Sequence, residues 1–186
     1  MNPSHRREGL LLKIVNVAAC LFFLWSDFYT VASPQPAYKN IKQTYLTPAT
    51  WVFFIYPIIH ALLLGTVIYQ FASAHGETVV VDGISLWFPL MAIASAIFLI
   101  VRANHYYTIA FVLSLFILYI GINIEWIIDK EHPPSSVADE LLVFPFYVWD
   151  AWNFVICFLT AFEAFGVDAT EHQDGTWTRI SVILAL

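Results

Sequence analysis

His60 and Asp150 stand well inside long apolar runs, His60 about midway through the run that opens at Pro48 and Asp150 in the run from Leu141 to Phe165. An acid at the centre of a bilayer costs about 2.5–3.5 kcal/mol on insertion scales, so both side chains are expected to face protein. The two types suit a polar pair on the floor of a pocket or a proton-responsive switch. They equally suit an internal hydrogen bond that joins two helices. Either use predicts that they approach each other inside the protein.

Aromatic residues surround both positions. Phe53, Tyr56 and His60 are spaced three and four apart and share a helix face, as do Trp149, Trp152 and Asn153. Aromatic walls with a few polar groups suit a flat, mostly apolar ligand. Trp51, Tyr56, His60, Trp149, Trp152 and Asn153 are therefore expected to contribute to one cavity between the two runs, with Asp150 beside them as a ligand-binding residue. Trp51 lies near a run's start, where an interfacial position is as good a reading. No catalytic constellation accompanies these residues. The chain lacks a His-Glu-x-x-His zinc motif, a Gly-x-Ser-x-Gly elbow and a phosphate-binding glycine loop, and its six histidines are scattered singly. The expectation is a protein that is not an enzyme and has no metal site.

The elements that must position these residues are membrane helices. Of 186 residues, 60% are hydrophobic, 17% aromatic and only 12% charged, with a mean hydropathy of +0.72. That composition is far from a soluble domain. The run Leu46–Gln70 is long enough to cross roughly 30 Å of hydrocarbon, with Thr47 as a candidate cap and Pro48 in the first turn. Five spans are expected, at about 10–31, 48–72, 84–101, 106–128 and 141–165, in a single all-α polytopic bundle covering residues 1–186. A polar loop with His75, Glu77 and Asp82 precedes the third span, a turn at Arg102–His105 follows it, and Pro133-Pro134 closes the fourth. Residues 180–186 begin another apolar run, too short to cross, and read as the start of a truncated sixth span. Period-two alternation is absent, which selects helices over a barrel.

Charge excludes some functions. The net charge is −6 and there is no basic patch with interleaved aromatics, so nucleic acid is not an expected partner. Cys20 and Cys157 fall in apolar segments and read as small hydrophobes. Basic residues split evenly, with Arg6, Arg7, Lys13 and Lys130 on one side and Lys39, Lys42, Arg102 and Arg179 on the other, so orientation is a tie. Trp25, Trp87, Trp126 and Trp177 are expected in interfacial belts, and Asp27, Asn123, Glu125 and Glu163 near solvated span ends. A secretory signal fits poorly, because Lys13 and Asn16 interrupt its apolar core.

Two segments carry a family resemblance. Thr47-Pro48-Ala49, Trp51, Phe53, Ile55, Ile59, Leu64-Gly65 and Tyr69-Gln70 fall in register with the second span of longer members of the TspO/MBR, or tryptophan-rich sensory and translocator-protein, family. Pro145, Phe146, Trp149 and Trp152 are similar to its late Leu-Pro-Phe-Ser-Ile-Tyr-Leu-Gly-Trp segment. Thr50, Tyr56, His60 and Asp150 depart from the pattern. The resemblance implies a compact bundle that binds, senses or carries a hydrophobic small molecule, such as a tetrapyrrole (haem or protoporphyrin) or a sterol. His60 could then serve as an axial haem ligand, although an isolated helical histidine is more often hydrogen-bonded. The bilayer is the other expected partner, and a homodimer is allowed. Two alternatives stand beside this reading: a non-catalytic structural subunit or assembly factor of a membrane complex, and a proton-coupled transporter with Asp150 and His60 in a hydrated midplane cavity.

Overall fold

The computed structural model describes residues 3–32, 42–44, 46–134 and 136–166, and among these there is no strand. Helix α1 (Pro3–Ala32) is followed by a 3-10 turn (Thr50–Phe54) that runs into α2 (Ile55–Ala72). A short α3 (Ala74–Glu77) continues as a π-helical stretch (Thr78–Ile84), and α4 (Trp87–Ala103), α5 (Tyr107–Glu131) and α6 (Val137–Phe165) follow among the described residues. Among the described residues, four segments are long and apolar enough to cross a membrane: Gly9–Thr30, Trp51–Ala72, Tyr107–Glu131 and Val137–Phe165. A fifth crossing is available if Ala74–Ile84 and Trp87–Ala103, which meet at a 70° bend, act together. The protein is an integral, multi-pass helical membrane bundle.

The helices close into a ring. Helix α1 packs on α4, α4 on α5, α5 on α6, α6 on α2, and α2 returns to α1. Chain direction alternates along the sequence, giving the bundle two ends. One, the amino-terminal end, holds the start of α1, the end of α2, α3 and the α5–α6 connection. The other, the Arg102 end, holds residues 42–44 and 46–54, the α4–α5 turn and the end of α6. Every backbone amide in lipid needs an internal partner, and helices meet that need within each segment.

Local signals set the breaks. Ser73 accepts from Gly76 N, and Ser136 from Asp139 N at 3.2 Å, which caps α6 with Asp139 and Glu140 in its first turn. The predicted break at Arg102–His105 is present, with His105 at φ 64° and α5 beginning two residues later. Other expectations are corrected. Thr47 caps no helix, because its hydroxyl accepts from Thr44 N at 2.7 Å and the helical turns begin only at Thr50. The stretch with His75, Glu77 and Asp82 is helical, not a polar loop, since Val79, Val80 and Ile84 drive it into the core. Trp25 and Trp126 are exposed and Trp87 is half-buried edge-on to Tyr119. Trp177 and the start of a sixth span at 180–186 lie outside the described residues.

Candidate functional site

Four of the residues singled out above meet in one aromatic core between α1, α2, α4 and α6. Trp149 is fully buried and stacks on Phe23 of α1, with ring centroids 5.2 Å apart and planes inclined by 15°. Phe88 of α4 meets Trp149 edge-on at 6.3 Å. His60 meets Phe23 edge-on, with ring centroids 4.4 Å apart. One turn along α6, Trp152 meets Tyr56 and Phe53 edge-on at 5.7 and 6.2 Å. Edge-to-face and offset stacks of this kind are worth about 0.5–1.5 kcal/mol each beyond their burial.

The polar groups of the core are arranged differently from expectation. His60 Nε2 lies 3.5 Å from Asp27 Oδ2, in an electrostatic contact that lacks hydrogen-bond geometry. Asp27 is buried rather than solvated at a span end. Asp150 forms no hydrogen bond or ion pair with His60; it turns toward α5, where a Cβ built on Gly121 would collide with its carboxylate. The reason is helical geometry: Trp149 and Asp150 are adjacent in sequence and therefore about 100° apart around α6, so a Trp149 that faces inward directs Asp150 to the neighbouring helix. Trp51 is 70% exposed on the outside of the 3-10 turn and does not join the core. Asn153 is buried, and its Nδ2 has no hydrogen-bond partner.

A second buried charge pair closes the Arg102 end. Arg102 Nε donates to Glu163 Oε2 at 2.9 Å and its Nη2 donates to Oε1, a two-pronged bridge between α4 and α6 with both side chains under 5% exposed. The guanidinium also sits over the Phe53 ring at 5.4 Å from its centroid. Lys42 Nζ donates to the carbonyls of Glu163 and Gly166, tying the segment before α2 to the end of α6. From sequence alone, Glu163 is expected in interfacial solvent and Arg102 in a turn; the structure buries both. The available signal is the position of each within two residues of a helix end, at the same end of the bundle.

Polar contacts elsewhere hold the ring together. Asn16 Nδ2 donates to Gln70 Oε1 at 3.1 Å between α1 and α2, Thr66 Oγ1 donates to the Leu142 carbonyl between α2 and α6, and Ser114 and Thr160 hydroxyls lie 3.0 Å apart between α5 and α6. An open groove of about 360 Å³ between α2 and α6 is lined by Ala61, Gly65, Thr66, Tyr69, Leu141 and Leu142. It contains none of the expected ligand-binding residues. No cluster of three or more His, Cys, Asp or Glu suited to a metal ion occurs among the described residues.

A family model described as TSPO-like protein matches residues 13–186 of the chain. No curated protein and no solved structure matches it.

Proposed function

The chain belongs to the TSPO-like protein family, and from that membership together with the aromatic core we propose that it binds a flat hydrophobic ligand of the tetrapyrrole or sterol class within the membrane, as a sensor or carrier and without catalysis. One observation carries the reading. Within the buried core, His60 Nδ1 and Asn153 Nδ2 have no hydrogen-bond partner. Buried polar groups are nearly always satisfied, and an unmade bond costs about 1–3 kcal/mol, so such groups are suited to the polar edge of a ligand. Phe23, Tyr56, Trp149 and Trp152 would supply stacking surface to a macrocycle or a sterol ring system. Trp149 is fully buried, so entry requires α1 and α6 to part at the Phe23–Trp149 stack.

The close packing of Phe23, Phe88 and Trp149 favours a second reading, a structural subunit whose core is simply filled. Protoporphyrin titration of the purified protein separates the two. The binding reading expects saturable quenching of tryptophan fluorescence in the wild type and several-fold weaker binding in Asn153→Leu. That substitution removes an unpartnered amide and should leave the fold intact. Absence of saturable quenching, or identical affinity in the folded variant, would favour the structural subunit.

A further inference from the structure

We propose that Asp150 is a proton-binding site in the middle of the membrane, reached from the amino-terminal end of the bundle through Asp129 and Glu125. Asp150 lies close to the midpoint of α6 (Val137–Phe165), and its carboxylate rests against Gly121, near the midpoint of α5 (Tyr107–Glu131). It is 7% exposed, Oδ1 is fully enclosed, and it makes no hydrogen bond or ion pair among the described residues. A carboxylate buried in that way without a cation or a donor is far more costly than a neutral carboxyl. Its simplest satisfied form carries a proton.

The route to it is built from one face of α5. Gly121, Glu125 and Asp129 recur every four residues, so they lie one above another on that face and climb from its end to its middle over about 12 Å. Glu125 is half-buried and within electrostatic reach of both Asp150 and Asp129. Asp129 is exposed, and its Oδ1 accepts the Tyr147 hydroxyl of α6 at 2.6 Å, which holds the outer end of the ladder against α6. Tyr147 precedes Asp150 by a little under one turn. Gly121 is what allows the approach, since any larger residue there would occupy the space of the Asp150 carboxylate.

The other charged groups facing α6 lie away from Asp150. His75–Asp139 on the α3 side sits about three turns toward the helix start, and Arg102–Glu163 on the α4 side more than three turns toward its end. The Asp27–His60 contact from α1 and α2 lies beyond Trp149. Proton passage conserves atoms and charge at each step. The O–H bond of protonated Glu125 breaks as an O–H bond forms on Asp150 Oδ1, the bonding pair stays with Glu125 as carboxylate, and that carboxylate is refilled from Asp129 or from water at the membrane surface.

Infrared difference spectroscopy of the full chain in an ester-free detergent tests the proposal. A pH jump should produce a carbonyl stretch of a protonated, buried carboxyl that is absent from the isosteric Asp150→Asn variant. Glu125→Gln should retain the band and slow its appearance several-fold, and its half-exposed position makes it usable even if Asp150→Asn does not fold. Retention of the full band in folded Asp150→Asn, or wild-type uptake rates in Glu125→Gln, would overturn the proposal.

Discussion

At the Arg102 end of the bundle, buried charges of opposite sign meet; along the seam between α5 and α6, acids meet one another. Arg102 and Glu163 satisfy each other through two hydrogen bonds, and Phe53 covers the guanidinium. Glu125, Asp129 and Asp150 have no basic partner among the described residues, and only Asp129 gains a hydrogen bond, from Tyr147. Both regions place charge in an apolar protein, but they solve the desolvation problem differently. The pair keeps its charges and locks α4 to α6, while Asp150, at the inner end of the seam, is relieved by neutralisation. A locked contact suits architecture, and a group that must gain or lose a proton suits a change of state.

The largest effect should come from breaking the pair on one side. Glu163→Gln or Arg102→Met should destabilise the bundle by about 3–5 kcal/mol, because the surviving charge is left buried without its partner. The double variant Arg102→Met with Glu163→Leu should recover most of that loss. Unfolding in mixed detergent micelles measures it, and additive losses in the double variant would show that the two residues act separately.

Gly121→Ala probes the seam. The added methyl competes with the Asp150 carboxylate, and overpacking of this kind costs about 1–3 kcal/mol. Asp150→Ala in the same chain should remove the conflict and restore stability toward the Asp150→Ala level. Failure of that rescue would mean that the α5–α6 approach does not depend on this contact.

What the sequence made legible follows the same division. The spans at 10–31 and 141–165 fall within α1 and α6, and that at 106–128 starts one residue before α5, because bilayer-length apolar runs leave few other choices. Residues 74–84 read as a loop because three charged or ionisable side chains masked a buried Val79-Val80-Val81 stretch. In the core, helical spacing placed Tyr56, His60, Trp149 and Trp152 near one another. It could not assign partners, since those depend on ring order and on the rotation of each helix. His60 therefore met Asp27 of α1, while Asp150 turned to Gly121. Trp51 left the group because its turn is 3-10 and its side chain faces outward.

A neutral buried contact at the opposite end gives an intermediate case. Asn16 and Gln70 join α1 to α2, and Gln70 Nε2 also reaches the Lys13 carbonyl at 3.4 Å. A double-mutant cycle with Asn16→Ala and Gln70→Ala should return a coupling of about 0.6 kcal/mol and no more than about 1.7, the range of hydrogen bonds between membrane helices. A coupling near that of Arg102 and Glu163 would show that burial alone, without charge, sets the strength of these ties.

The smallest effect is expected at Lys13 and Glu77, an ion pair like Arg102–Glu163 in type but not in setting. Lys13 Nζ lies 3.1 Å from Glu77 Oε2, close to the distances in the buried bridge, yet the Glu77 side chain is 42% exposed. Water therefore stabilises Glu77 in the absence of its partner, and mobile ions screen the attraction. Glu77→Gln should cost about 0.2–1 kcal/mol, and raising the salt concentration should reduce the difference from wild type further. Lys13 also packs its ammonium 5.4 Å from the Phe71 ring centroid, a contact that Glu77→Gln leaves in place. If Glu77→Gln were instead as damaging as Glu163→Gln and insensitive to salt, similar distance would outweigh different burial. The contrast between the two ends would then rest on pairing alone, since desolvation would no longer separate the exposed pair from the buried one.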